Sequence, residues 1–430
     1  MTQTDETSNS RSPGYFKYMI IILMFVLILD NYTQFYSAVI PSKVVEEFLG
    51  NYPQNVANSI FAFSLAIASL GSYIVFLVWY SADRIGRKFL LVLSIFGMAF
   101  ASLGILLSRN IVEYTIFRLI LAIFVGSDIW LIYLNEESPP EKKAFWTNIA
   151  LIGGMIGILL MAVFRSIYIT DTSPVGAWRG MTYFSIILGI PLGILVALTI
   201  KETSKYEEIK EHRLTTKERT NLLKKNFNTI FKSDNRQAYI TALFLNFIWS
   251  LNGIYISLAE LYMAQSPYLK EGDINIVVLI LVPSIAGGFL TTGMLADKMG
   301  RKPLLYVYVV LFFAGAAIFL VGVATPGIAL ILVCIGQAMI NIAYWGTWVL
   351  NSIIVIELVP TDARGTGTGF KSLMGTLAGT TALIVTGIIT YFFSLFVVFV
   401  LFIIILLINL PLIYKFMIET RGTDLSQIKS

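Results

Sequence analysis

Long apolar runs recur along the chain. Residues 18–29, 60–79, 89–107, 238–251 and 396–414 are almost free of charge, and the charged residues gather between such blocks. About 20 apolar residues in a helix cross a ~30 Å hydrocarbon core. Helix is favoured because every backbone N–H and C=O must find its partner inside the segment. Over 430 residues only 13% are charged, about half the share in a typical soluble domain. Too little polar surface remains to wrap one large core in water. The fold class is therefore an all-α membrane protein.

The pattern predicts twelve spans near 17–40, 56–80, 88–108, 112–135, 143–167, 178–200, 238–263, 274–296, 302–323, 328–352, 366–391 and 394–416. The division is an N-terminal six-helix bundle (1–200), a charged linker (201–236) and a C-terminal six-helix bundle with a short tail (237–430). The linker holds ten basic and six acidic residues, and Lys217–Lys225 can form a surface helix. With the N-terminus inside, 25 of the 31 Lys and Arg face the cytoplasm and five face out, with Arg118 inside a span. Positive charge is retained on the cytoplasmic side, so both termini are expected there, in a multi-pass plasma-membrane protein. The net +5 then reads as anchoring against anionic lipid; nucleic acid is not an expected partner.

Cys334 is alone and His212 is the single histidine, so neither an intramolecular disulfide nor a histidine-based metal site is available. No metal or other cofactor is expected. Paired catalytic carboxylates and phosphate-cradling glycine loops are also missing from the pattern, which argues against an enzyme. The first apolar block has no A-x-A-like exit and carries Asp30, so no cleavable signal is expected.

Two motifs occur twice. Asp83-Arg84-Ile85-Gly86-Arg87-Lys88 follows span 2, and Asp297-Lys298-Met299-Gly300-Arg301-Lys302 follows span 8. Glu136-x-x-Pro139-x-x-x-Lys143 after span 4 is echoed by Glu357-x-x-Pro360-x-x-x-Arg364 after span 10. Two motifs in the same order, 214 and 221 residues apart, point to one six-helix unit used twice. Gly86 and Gly300 let a tight turn form. The carboxylates of Asp83 and Asp297 are placed to dock on another helix's N-terminus.

These motifs resemble the major facilitator superfamily, and within it the branch of sugar and metabolite porters, over essentially the whole chain. Gly293 through Lys302 fits the superfamily's turn pattern throughout, while the first copy has Trp79 in place of glycine. Glu419-Thr420-Arg421-Gly422 with Leu425 and Ile428 is similar to the branch's tail, and Glu202-Thr203-Ser204-Lys205 faintly matches its motif after span 6. The resemblance implies two bundles rocking about a central site lined by spans 1, 4, 7 and 10. It also implies that Asp83, Arg84, Gly86, Arg87, Glu136, Lys143, Asp297, Gly300, Arg301, Glu357 and Arg364 form the inner gates.

Helical period picks out the candidate site independently. Gln337, Asn341, Tyr344, Trp345 and Trp348 fall on one face of span 10; Asp30, Thr33, Gln34 and Ser37 on one face of span 1; Asn246 and Trp249, with Asn252 and Tyr255 beside them, on span 7. Polar side chains there need a cavity or a partner helix. Gln34, Asn246, Trp249, Asn252, Gln337, Asn341, Tyr344, Trp345 and Trp348 are the expected solute contacts. Asp30, near mid-membrane, is the expected proton acceptor, with Arg118 as its ion-pair partner and Asp128 as a second titrating group or a structural partner. In the proton-coupled sugar porters an aspartate of span 1 faces an arginine early in span 4. Arg118 matches that arginine, but Thr33 stands where the aspartate belongs and Asp30 sits one turn earlier.

Of the remaining charges, Glu260 is expected at the interface, and Arg165 and Lys371 are expected to snorkel, Lys371 alternatively pairing with Glu357 or Asp297. Gly153-x-x-x-Gly157 and Gly375-x-x-x-Gly379 permit close helix packing, and the resemblance implies that spans 5 and 11 meet across the interface that must slide.

The expected function is secondary active transport: proton-coupled symport of a sugar, sugar acid or other small organic metabolite by alternating access, by a monomer in the bilayer. Symport of an organic or aromatic acid and export of metabolites or drugs are the alternatives, and a non-transporting nutrient sensor is a remote one.

Overall fold

The computed structural model describes residues 13–74, 85–139, 142–203, 206, 216–360 and 363–422. Among the described residues, twelve helices are long and apolar enough to cross a membrane: Gly14–Tyr36, Gln54–Ile74, Arg87–Leu107, Ile111–Glu137, Phe145–Tyr168, Ala177–Thr199, Arg236–Ser257, Glu271–Met299, Arg301–Ala324, Ala329–Leu358, Arg364–Phe392 and Leu395–Phe416. They are numbered spans 1–12 in that order. They answer to the twelve apolar blocks, and the described residues contain no strand.

The packing repeats itself. Span 1 lies on span 5 as span 7 lies on span 11; span 2 meets span 4 as span 8 meets span 10; span 3 meets spans 4 and 6 as span 9 meets spans 10 and 12. The two six-helix bundles meet along span 2 with span 11 and span 5 with span 8, again a symmetric pair. The linker forms the helix Thr216–Lys232. Phe227 and Phe231 of that helix pack on Phe370 of span 11, and Asn226 donates to Thr366 at 3.1 Å.

Spans 5 and 11 meet the other half as the resemblance implies, while the small-residue motif of span 5 packs inside its own bundle. Gly153 approaches Met24 and Gly157 approaches the backbone of Ile28, both in span 1. Gly375 likewise faces Asn246 and Ser250 of span 7, and nothing crowds Gly379. Close backbone approach here tightens each half internally.

Two spans are broken where continuous helices were expected. Span 4 stops at Phe124 and restarts at Ile129. Between them Gly126 (φ +68°) and Asp128 (φ +48°) turn into the left-handed region, which glycine adopts freely and aspartate tolerates better than most residues. Span 7 breaks after Leu251 into the short helices Ile254–Ser257 and Ala259–Ala264. Broken helices at membrane depth are tolerated only where the freed backbone finds partners or lines a cavity.

Candidate solute pathway and its two gates

The turns after spans 2 and 8 define one end of the molecule, here the turn end. At Gly86 (φ +108°) and Gly300 (φ +96°) the chain takes a conformation that penalises side chains. Each turn then opens a helix whose first N–H groups need an acceptor. Glu202 accepts from Arg87 N–H at 2.9 Å and Lys88 N–H at 3.1 Å. Glu419 accepts from Arg301 N–H at 2.8 Å and Lys302 N–H at 3.0 Å. The arginine of each pair reaches on to the carboxylate ending span 4 or span 10. Arg87 meets Glu136 at 3.1 Å, and Arg301 grips Glu357 at 2.7–3.2 Å.

Glu202 and Glu419 were not singled out as gate residues, yet the repeat was visible, since Glu-Thr ends both halves. They do the capping that Asp297 was expected to do. Asp297 is 78% exposed and pairs with Arg301 one turn ahead, at 2.9 Å. Asp83 and Arg84 lie outside the described residues, as do Leu425 and Ile428. Lys143 and Arg364 make no ion pair among the described residues, and Nε and Nη2 of Arg364 are buried without an acceptor.

At the opposite, far end the halves are tied together. Arg165 of span 5 is fully buried. It donates to the Val39 carbonyl (2.6 Å), Glu260 (2.8 Å), Glu271 (3.1 Å) and Asn275. Ser42 donates its N–H and hydroxyl to Glu260, and Lys43 pairs with Glu271 at 3.0 Å. Arg165 does not snorkel and Glu260 does not face the interface; each neutralises the other inside the protein. Span 2 adds hydrogen bonds to span 11 from Asn55–Tyr391 down to Ser69–Thr380 and Tyr73–Thr380. On the turn side of Thr380, no hydrogen bond joins the halves among the described residues.

Between the two ends lies the polar strip of span 10. Gln337 and Asn341 are buried and bonded to each other, and they line a small cavity with Phe35, Ala38, Val39 and Glu260. Trp345 packs on Phe35 of span 1 at 5.6 Å and on Phe289 at 6.2 Å, so this face looks at the opposite half. Trp348, on the same face, is 51% exposed. Gln34 is exposed as well. Around span 1 it lies between Asp30, Ala38 and Phe35, a strip that meets span 4, the cavity and Trp345. It therefore opens between the halves and not toward lipid.

Span 7 contributes differently. Asn246 donates to the Lys371 carbonyl at 2.9 Å and Trp249 to the Tyr344 carbonyl at 3.3 Å, while the Asn252 amide turns back to Ile248. These three brace span 7 against spans 11 and 10 and against itself. Lys371 forms no ion pair with Glu357 or Asp297. Its ammonium reaches the Trp348 carbonyl at 3.4 Å and the Ser352 hydroxyl, under the Trp348 ring at 5.0 Å.

Asp30 is buried and accepts the Gly126 N–H at 3.0 Å, the donor freed where span 4 breaks. Asp128, in the same break, lies within electrostatic reach of that carboxylate. The expected Asp30–Arg118 ion pair is not formed. Arg118 stands eight residues before Gly126, ~12 Å along a helix at 1.5 Å per residue, beside Tyr36 and Tyr114. Its Nε is buried with no acceptor among the described residues.

Comparison with known proteins agrees with this architecture. A Bacillus subtilis (strain 168) protein named for metabolite transport, YwtG, is 27% identical over 330 residues, 68% of this chain and 69% of that one. The cis,cis-muconate transport protein of Acinetobacter baylyi is 24% identical over 339 residues, 76% of each chain. The crystal structure of a D-xylose-proton symporter superposes with a TM-score of 0.77 at 16% identity, covering 95% of this chain and 99% of that one. The family model of the Major Facilitator Superfamily matches residues 20–379 and again 277–429. With twelve spans in two like halves and a family match along nearly its whole length, the chain is a multi-pass membrane transporter that belongs to the Major Facilitator Superfamily.

Proposed function

We propose that this protein is a proton-coupled symporter of a small polar organic metabolite, seen with its central site open to the cytoplasm. One-sided closure is the observation that carries this reading. Among the described residues, ion pairs and hydrogen bonds join the halves from the far end down to Thr380 and stop there. A polar and aromatic strip is left open on the turn side. The positive-inside bias puts the turn end in the cytoplasm. Residues 1–200 and 237–430 are the two bodies that move, and breaking the Arg165 network while closing the turn end would expose the same strip to the outside. This is alternating access around a fixed site.

Asp30 is the proposed proton site. It is a buried carboxylate at mid-membrane whose listener is a helix break, so a change in its charge acts directly on the geometry of span 4. A mid-membrane charge costs at least ~2.5 kcal/mol on insertion scales, so a group held there with no counter-ion among the described residues has a reason to be there. The names of the relatives favour a metabolite solute: one is named for cis,cis-muconate and one similar structure for D-xylose and protons.

Uptake into proteoliposomes under imposed pH gradients, across sugars and organic acids, tests this. Accumulation driven by an inward proton gradient is the expected result. Proton exit driving solute in the opposite sense would instead make it an exporter, and binding with no flux would make it a sensor.

A further inference from the structure

Lys371 has no place in the coupling scheme, and its surroundings say what it meets. It lies seven residues into span 11, ~10 Å from the turn end, and is 6% exposed. An ammonium has three protons to give. Two point at the Trp348 carbonyl and the Ser352 hydroxyl; among the described residues the third has no acceptor and no carboxylate neutralises the charge. A buried cation without a counter-ion is costly, so an anion from solution is the missing partner.

The strip next to it asks for the same thing. Along this face of span 10 the buried polar atoms without a partner are Nε2 of Gln337, Nε1 of Trp345 and, one turn past Trp348, Nδ2 and Oδ1 of Asn351. Three of the four are donors. A neutral polyol carries hydroxyl donors along with acceptors and leaves the ammonium charge unanswered; a carboxylate supplies only acceptors and the opposite sign. The walls here are flat and apolar: Trp348 half exposed beside the ammonium, and Trp345 one turn further in, packed between Phe35 and Phe289. Indole faces suit a ring.

We infer that the solute is a ring-bearing carboxylate, with Lys371 as its anion-reading residue and Trp348 as the surface its ring lies on. Ion and ring are then held together at the open mouth of the strip. The inference rests on the transport reading for its cavity but concerns binding alone.

Calorimetric titration of the purified full-length protein in detergent at pH 7 tests it, with benzoate and its neutral analogue benzyl alcohol as probes. We expect benzoate to bind at least tenfold more tightly than benzyl alcohol. Lys371→Gln abolishes that preference by weakening benzoate far more than benzyl alcohol; Lys371→Arg keeps most of it; Trp348→Ala weakens both probes. Gel filtration and melting show which variants fold, and the wild-type ratio needs no variant. Equal binding of the two probes by the wild type, no benzoate binding, or a preference that survives in Lys371→Gln overturns the inference. If the benzoate preference holds but no proton gradient drives uptake, the coupling reading fails and this one stands.

Discussion

Arg165 and Glu260 meet 2.8 Å apart across the boundary between the two halves, with side-chain exposures of 0% and 2%. Removing one partner from a buried ion pair costs about 3–5 kcal/mol, and Glu271 at 3.1 Å from Arg165 retains part of that. The loss falls only on the conformation in which the far end is shut, so it becomes a population shift.

We therefore expect Glu260→Gln to open the far end by at least tenfold. Asn58 reports this well, because it is 4% exposed and takes a hydrogen bond from Gln265 of the other half at 3.2 Å. In a Cys334→Ser background, Asn58→Cys should react slowly with a maleimide, and adding Glu260→Gln should raise the rate at least tenfold. An unchanged rate would mean that the ion pair does not hold the gate.

The caps at the turn end make a pH prediction. Burial works against charge on Glu419, but the N–H groups of Arg301, Arg421, Lys302 and Thr420 outweigh it and hold the carboxyl below its ordinary value. A carboxyl with a depressed folded-state value stabilises the fold above its unfolded value, and that contribution is lost as pH falls through the folded one. The melting temperature of the wild type in detergent should exceed that of Glu419→Gln at pH 7, and the gap should close as pH falls below the ordinary glutamate range near ~4.3. Equal melting at pH 7 would show that the cap contributes nothing.

Much of this was legible beforehand, for definite reasons. Apolar blocks give the spans, and a doubled motif gives the two halves. Helical period gave the Gln337–Trp348 strip and Gln34, because it reports direction around a helix. It does not report height. The resemblance to proton-coupled sugar porters pairs Asp30 with Arg118, yet Gly126 lies at the depth of Asp30, about two turns beyond Arg118. The break in span 4 was masked because a single Gly126 in an apolar run reads as helix.

Arg165 and Glu260 were each assigned to a membrane surface because their partner lies 95 residues away in sequence and no local pattern links them. The Glu-Thr pair ending each half is readable in the sequence, but nothing local links the two copies to the turns they cap. Its meaning comes from Gly86 and Gly300, whose turns leave helix N–H groups open at the same place in both halves.

Close packing between spans 1 and 5 predicts a stability effect with no gate involved. A side chain at Gly157 would collide with the backbone of Ile28 and Tyr32, neither of which can step aside by changing rotamer. Overpacking typically costs about 1–3 kcal/mol. Gly157→Leu should lower the melting temperature and reduce solute flux from either side alike, whereas Gly379→Leu, where nothing crowds the site, should melt like the wild type. Equal melting of both variants would contradict this packing.

The proton site can be separated from the structural role of the same residue. Asp30 holds the Gly126 N–H at 3.0 Å, and an asparagine carbonyl can accept that hydrogen bond equally well while carrying no titratable proton. Asp30→Asn should therefore fold, melt close to the wild type, and still exchange solute across the membrane when solute is present on both sides. Accumulation against a gradient, driven by an inward proton gradient, should fall at least tenfold. Asp30→Ala removes the acceptor as well and leaves a buried N–H unpaired, at ~1–3 kcal/mol, so it should lose exchange in addition to coupling. If Asp30→Asn accumulates solute with undiminished proton dependence, the proton resides elsewhere, and Asp128 in the same break is the next group to neutralise.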